Sequence, residues 1–126
     1  MAGKISTHVL DTSIGKPGAG VVLRLFALEK VACASGEILT RSLLNATQTN
    51  ADGRTDAPLL ANEAMRVGQY EIEFEIGTYF KAQDKVLPEP AFLDVVTLRF
   101  GVADAAANYH VPLVCTPWSY STYRGS

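Results

Sequence analysis

The most informative stretch of this sequence reads Tyr70-Glu71-Ile72-Glu73-Phe74-Glu75-Ile76. Apolar side chains alternate with carboxylates, and successive side chains of a β-strand point to opposite faces. One face of the segment is therefore apolar, and the other would place its glutamates in water. The pattern predicts a half-buried antiparallel strand.

The same period of two recurs on both sides of this stretch, in residues 22–27 and 95–102. The second of these segments is apolar on both faces at several positions. Such a strand indicates a sheet whose outer face is also covered, for instance by another subunit.

Turn-forming residues separate the strands, as in Gly15-Lys16-Pro17-Gly18 and Asn50-Ala51-Asp52-Gly53. Residues 103–107 fit a hairpin connection, and a helical period is confined to residues 78–83, ahead of Pro88 and Pro90. The sequence therefore predicts an all-β fold, a two-sheet β-sandwich of about eight strands with one short helix.

The bulk properties indicate one globular domain, which we place over residues 1–126. A net charge of −2 without a Lys/Arg cluster argues against a nucleic-acid partner. Cys33 and Cys115 lack the C-x-x-C spacing and are interpreted as free thiols of a reducing compartment. Because the first residues lack a secretion signal and no apolar run could span a bilayer, we expect a cytoplasmic protein without a membrane partner.

The chain contains only two histidines, His8 and His110, far apart in sequence. Strand alternation predicts that each points away from the apolar face of its own segment. A lone histidine is more often a hydrogen-bonded structural group than a catalyst, and spacing alone cannot bring these two together.

Arg54 directly follows the turn at residues 50–53. An arginine fixed beside a tight turn could present its planar fork to an anionic or carbonyl-rich ligand. The local sequence favours the alternative, an ordinary surface charge paired with Asp52 or Asp56.

The segment at residues 117–126 is unusual because chain ends normally carry small polar residues. Trp118, Tyr120 and Tyr123 give this end the apolar bulk to be anchored against the rest of the protein. A functional segment and a last edge strand with an aromatic plug are both open interpretations.

Common catalytic motifs do not occur in the sequence. We find no nucleophile elbow, no Gly-rich phosphate loop and no paired zinc-binding spacing. Two histidines are also fewer than the three protein ligands that catalytic zinc sites usually have, so neither a metal site nor a covalent mechanism is predicted.

Four motifs nevertheless occur together in one order. They are Ser6-Thr7-His8-Val9-Leu10-Asp11, Thr49-Asn50-Ala51-Asp52-Gly53-Arg54-Thr55-Asp56, Tyr109-His110-Val111-Pro112-Leu113 and Tyr123-Arg124-Gly125-Ser126. With these motifs the chain resembles the transthyretin-like family, in its 5-hydroxyisourate hydrolase branch, from residue 5 to residue 126.

The resemblance implies a prealbumin-like sandwich of two four-stranded sheets, assembled as a homotetramer whose paired dimers enclose a channel. It also implies that His8, Arg54 and His110 line active sites open to that channel. Tyr123, Arg124, Gly125 and Ser126 would complete these sites by binding substrate. Residues 32–44 fit none of the motifs and are expected to form a variable loop and an edge.

The implied reaction is hydrolysis of the N1–C6 bond of 5-hydroxyisourate, in urate breakdown, to give 2-oxo-4-hydroxy-4-carboxy-5-ureidoimidazoline. His110 would act as general base, His8 would deliver a proton or bind substrate, and Arg54 would stabilise the oxyanion, with the two histidine roles exchangeable. No cofactor is required. The rival interpretations are a carrier of hydrophobic ligands with the same fold and a purely structural module, and the histidines, Arg54 and the chain ending argue against both.

Overall fold

The computed structural model describes residues 3–125, most of which lie in short strands around one core. The strands are β1 (Lys4–Ser6), β2 (Val9–Asp11), β3 (Lys16–Pro17), β4 (Val22–Cys33), β5 (Gly36–Gln48), β6 (Leu60–Ala61), β7 (Gly68–Glu75), β8 (Val95–Val102), β9 (Asn108–His110), β10 (Leu113–Cys115) and β11 (Tyr120–Thr122). A 3-10 turn, Asn62–Ala64, precedes β7, and one helix, α1 (Ile76–Ala82), follows it.

The first layer is an antiparallel sheet with the strand order β5-β4-β7-β8. The second layer is built on two interrupted strands, because β1 and β2 run parallel to β9 and β10. Hydrogen bonds from Val111 N to Ser6 O (2.8 Å) and from Leu113 N to His8 O (2.9 Å) continue the pairing across the interruption. Strands β6 and β3 flank this pair on one side and β11 on the other.

The two layers form the predicted β-sandwich with one short helix, so the predicted fold class is confirmed. Apolar side chains of both layers meet in one core, which includes Ile5, Leu25, Phe74 and Leu113. Helix α1 adds Phe80 to this core.

The prediction that the glutamates of β7 stand in water is wrong. Glu71 is only 7% exposed and contacts Arg99 at 2.8 Å and Arg41 at 3.6 Å, while Glu73 contacts Arg41 at 2.7 Å. The hydrogen bond from Arg41 lowers the pKa of Glu73. The arginines that cover this face belong to three other strands of the sheet, Arg24 to β4, Arg41 to β5 and Arg99 to β8. Periodicity within one strand cannot reveal such a cross-strand arrangement.

Two predicted connections also differ from the structure. Residues 32–44 form the tip of a long hairpin of β4 and β5 together with most of β5, so the predicted loop is wrong, whereas the predicted edge is right because β5 is an outer strand. The far half of this hairpin extends beyond β7 and is exposed on both faces, so it lacks the alternation that marks a strand. Residues 103–107 are not a hairpin, because β8 and β9 belong to different layers.

The predicted helix is present but begins earlier, at Ile76, which the sequence pattern had assigned to the preceding strand. Within residues 3–125 it is the one α-helix, and its seven residues are too few to cross a bilayer.

Candidate active site

Two neighbouring parallel strands carry the two histidines. His8 lies between β1 and β2, and His110 ends β9. Their flanking residues, among them Thr7, Val9 and Tyr109, are buried, so both rings point to the outer face of the layer, as alternation predicts. The ring centroids lie 6.5 Å apart. Residues separated by about four-fifths of the chain thus form a pair because their strands are adjacent.

The turn at residues 50–54 brings Arg54 beside His8. Asn50 holds the turn, since its Oδ1 accepts hydrogen bonds from the backbone N of Asp52 (2.9 Å) and of Arg54 (3.2 Å). The carbonyl of Gly53 then accepts a hydrogen bond from Val9 N at 2.8 Å, and His8 and Arg54 form an antiparallel bridge.

Gly53 allows this close approach. It has a φ of +75°, a conformation that glycine adopts without strain. A Cβ at this position would also lie 2.4 Å from the carbonyl oxygen of Val9 and 3.2 Å from Cδ2 of His8. The glycine before Arg54 is therefore required for the turn to pack against the histidine strand.

The side chain of Arg54 is exposed and, among residues 3–125, has neither an ion pair nor a side-chain hydrogen bond. The predicted alternative, pairing with Asp52 or Asp56, is not seen. Arg54 lines a cavity of about 210 Å³ together with Lys4, Ser6 and residues 55–58. A guanidinium held at the wall of a cavity without a protein partner can bind an anion or a carbonyl oxygen.

His110 is held from two sides. Its Nδ1 lies 2.9 Å from Oγ of Ser6, the residue directly opposite it in the register of β1 and β9. Gly125 closes the other side, because its backbone N donates a hydrogen bond to the His110 carbonyl at 2.7 Å. A Cβ at Gly125 would lie 2.7 Å from Cδ2 of the ring.

Both histidines are neutral near pH 7. Partial burial and the positive charge of Arg54 lower the pKa of each below the ordinary value of a histidine. For His8 a backbone hydrogen bond and the carboxylate of Asp52 act in the opposite direction. For His110 the charge of Lys4, and that of His8 when it is protonated, lower the pKa further, and no group among residues 3–125 offsets the effect.

The structure does not bring all the predicted terminal residues to the histidines. The guanidinium of Arg124 lies 4.1 Å from the centroid of the Tyr109 ring and donates to the Asn108 carbonyl at 3.0 Å. Together with Tyr123 it lines a larger cavity, of about 520 Å³, between β8 and β11. Of the four residues, Gly125 contacts His110, and Ser126 lies outside the described residues.

Comparison with known proteins assigns the chain to a family. The model described as "HIUase/Transthyretin family" matches residues 5–125. The chain belongs to this family. It is 52% identical to a 5-hydroxyisourate hydrolase of Ralstonia nicotianae, over 98% of this chain and 99% of the relative.

Solved structures of the HIUase/transthyretin family have the same fold as this chain. The fold is similar to that of Klebsiella pneumoniae 5-hydroxyisourate hydrolase, with a TM-score of 0.75, 27% identity and coverage of 98% of this chain and 99% of that chain. Sea bream transthyretin in complex with thyroxine has a TM-score of 0.78 at 22% identity, over 97% of this chain and 94% of that chain, which is a likeness of fold alone.

The sequence motifs do not single out Ser6, although its hydroxyl contacts the His110 ring. The signal was present, because Ser6 and His8 share a strand face by alternation. Its contact with His110 depends on the parallel pairing of β1 and β9, which has no local signature. Within residues 3–125 no three His, Cys, Asp or Glu side chains lie close enough together to hold a metal ion.

Proposed function

We propose that this protein hydrolyses 5-hydroxyisourate at its N1–C6 bond, a reaction of urate catabolism. The observation that carries the proposal is the meeting of His8, Arg54 and His110 on one outer face beside a cavity. Full-length relatives named 5-hydroxyisourate hydrolase, at about half identity, support the same activity.

We assign the general-base role to His110, whose Nδ1 lies 2.9 Å from the Ser6 hydroxyl oxygen and whose Nε2 has no hydrogen-bond partner among residues 3–125. Burial and the charge of Arg54 lower its pKa, so the ring is neutral and able to accept a proton at physiological pH. The oxygen of a water molecule bonds to C6 of the substrate while one water proton moves to His110. General base catalysis of this kind accelerates a reaction by about 10²–10⁴-fold.

Arg54 supplies the positive charge that the reaction needs next. As water adds to C6, negative charge develops on the carbonyl oxygen. A guanidinium without a partner among the described residues can donate hydrogen bonds to that oxygen. Removing one such donor typically slows a reaction by about 10²–10³-fold.

His8 acts on the leaving nitrogen. When the C6–N1 bond breaks, its electron pair moves to N1, which takes up the proton that His110 accepted. The backbone hydrogen bond and the carboxylate of Asp52 offset part of the lowering of the His8 pKa, and the His8 ring lies 6.5 Å from that of His110. His8 can therefore relay this proton to N1, after which both histidines are neutral again. Water is the only co-reactant.

We assign the terminal segment to substrate binding. Gly125 permits the close contact with the His110 ring. Tyr123 and Arg124 line the larger cavity and would meet substrate across the assembly, and the role of Ser126, outside the described residues, stays a prediction. The assembly we propose is a homotetramer, a dimer of dimers. Its support is that β8 and β11 are the outer strands of their sheets, flank one cavity and expose Val95 and Tyr120.

We place the protein in the cytoplasm. Both cysteines are free thiols, Cys33 exposed and Cys115 buried. An exposed thiol is stable in a reducing compartment and is prone to oxidation outside one.

The proposal is tested by following the ultraviolet absorbance of 5-hydroxyisourate generated in situ by urate oxidase. We expect the wild-type protein to accelerate its loss well beyond the spontaneous rate. His110→Asn and Arg54→Ala should each slow turnover by about 100-fold or more, with the melting temperature unchanged within a few degrees.

Lys30→Ala is the matched control, because Lys30 is an exposed cation on the protruding hairpin, far from the histidines. It should turn over at the wild-type rate. A wild-type protein that leaves the spontaneous decay unchanged would exclude the hydrolase and favour the carrier.

A further inference from the structure

Ser6 is the one side chain in the described residues that hydrogen-bonds the His110 ring. The two residues are register partners on adjacent parallel strands, and Ser6 Oγ lies 2.9 Å from Nδ1. The backbone of Ser6 is fixed as well, since its carbonyl accepts a hydrogen bond from Val111 N at 2.8 Å. The distance between Oγ and Nδ1 is therefore set by the sheet.

The contacts of the His110 ring identify its reactive atom. Ser6 occupies the Nδ1 edge, and Gly125 lies against the Cδ2 edge at a distance that excludes any side chain. Nε2 has no hydrogen-bond partner within residues 3–125. It is the ring nitrogen left to meet substrate and water.

A hydroxyl can donate a hydrogen bond to Nδ1 or accept one from it, and the two arrangements correspond to different tautomers of a neutral histidine. With Nδ1–H donating to Ser6, Nε2 carries a lone pair and can accept a proton. With Ser6 donating, Nε2 carries the proton and cannot act as a base.

The surrounding charges distinguish the two arrangements. Among residues 3–125, the charged or titratable groups that act on His110 are Lys4 and His8 on its partner strand and Arg54 on the adjoining turn, and none of these is acidic. On the terminal side Gly125 brings no charge, and Arg124 is turned to Tyr109 on the other face. Lysine and arginine side chains are hydrogen-bond donors only, so neither Lys4 nor Arg54 could accept a hydrogen bond from an Nε2–H, whereas the Ser6 oxygen can accept one from Nδ1–H.

We propose that Ser6 is a positioning residue that accepts the Nδ1 proton of His110 and thereby keeps Nε2 unprotonated as the general base. This inference rests on the proposed function and deepens it, because it assigns the base role to one atom of one histidine. The two histidines differ in what they contact. The His110 ring contacts the Ser6 hydroxyl on the neighbouring strand, whereas the His8 ring has a hydrogen bond with the backbone of Asp52 in the turn, which raises its pKa.

The consequence for the reaction is specific. In Ser6→Ala the Nδ1–H loses its acceptor, and the ring reverts to the Nε2–H tautomer that free histidine prefers. We expect kcat to fall by about 10- to 100-fold, the usual effect of removing a group that orients a functional histidine, with KM changed less than twofold. Ser6→Thr keeps the hydroxyl, suits a strand and should retain most of kcat.

The direct test is ¹⁵N NMR of histidine-labelled protein at neutral pH, which reports the protonation of each ring nitrogen and does not depend on turnover. In the wild type and in Ser6→Thr, His110 should show a protonated Nδ1 and a bare Nε2. In Ser6→Ala these signals should shift toward the opposite tautomer, while those of His8 serve as the internal reference.

A wild-type His110 protonated at Nε2, or a Ser6→Ala protein with the wild-type tautomer and kcat, would overturn the proposal. Because the wild-type spectrum is decisive by itself, an unstable alanine variant does not prevent the test. Failure of the proposed function has a different signature, namely the predicted tautomer in a protein that does not accelerate decay of 5-hydroxyisourate.

Discussion

Gly53 and Gly125 each pack against Cδ2 of one histidine ring, Gly53 against His8 and Gly125 against His110. A Cβ at Gly125 would collide with the His110 ring at 2.7 Å, and a Cβ at Gly53 would collide with the Val9 carbonyl at 2.4 Å and crowd the His8 ring at 3.2 Å, so both contacts depend on residues without side chains. Both glycines belong to motifs recognised in the sequence, but their contacts follow only from the fold. The residue types of the site were therefore predictable, and the contacts that orient the rings were not.

The charge of Arg54 should also affect the pH dependence of kcat/KM. Partial burial is the larger cause of the lowered pKa of His110, and the positive charge of Arg54 adds to it. The free base should therefore remain active below pH 6.5, the ordinary pKa of a histidine. Neutralising Arg54 removes a repulsion that opposes the imidazolium, so the pKa must rise.

We accordingly expect the acid limb of kcat/KM to move to higher pH in Arg54→Gln, whatever residual rate remains. Arg54→Lys keeps the charge and should leave the limb in place. The measurement is the pH profile of all three proteins at constant ionic strength. An unmoved limb in Arg54→Gln would show that the charge of Arg54 does not act on the base.

Among the secondary-structure elements, helix α1 contacts strand β2 through a buried hydrogen bond. The Tyr79 hydroxyl donates to Oδ2 of Asp11 at 2.8 Å, and Asp11 is only 1% exposed. The other carboxylate oxygen accepts hydrogen bonds from the backbone and side chain of Ser13. Burial and this carboxylate raise the pKa of Tyr79, so the hydroxyl stays protonated and continues to donate.

Tyr79→Phe should lower the free energy of unfolding by about 1–3 kcal/mol, because a buried carboxylate loses a partner. Urea denaturation measures this change. Thr78→Val is the control, since Thr78 is an exposed residue of the same helix whose hydroxyl has no hydrogen bond among residues 3–125, and its effect should stay within about 0.5 kcal/mol. Equal stability of the two variants would mean that the Tyr79–Asp11 contact does not hold the helix.

The strands that could be predicted from the sequence are those with one apolar and one polar face. Strands β4, β7 and β8 alternate where one face meets the core, and each was found. Strand β5 is exposed along nearly its whole length, so its sequence carries no period of two, and for residues 32–44 the sequence predicts a loop and an edge instead of a long strand. The pairing that joins His8 to His110 is parallel and spans the chain, and such pairing has no local pattern.

At the scale of the whole molecule, the outer strands β8 and β11 flank the larger cavity and expose apolar side chains. We expect a tetramer with closed symmetry, because two different patches that each meet their own copy close an assembly of four chains. Multi-angle light scattering at micromolar concentration should give about four times the chain mass of 13.6 kDa. A monomer under these conditions would contradict the assembly and leave Tyr123 and Arg124 remote from the histidines.

In the proposed mechanism His8 and His110 act as one hydrolytic unit, and a double-mutant cycle on the two histidines tests this directly. The measurement is kcat for 5-hydroxyisourate in the wild type, His8→Asn, His110→Asn and the double variant. Groups that act as a unit are strongly non-additive, so the double variant should be about as slow as the slower single variant. Losses that multiply, or a double variant that keeps the wild-type rate, would contradict the account.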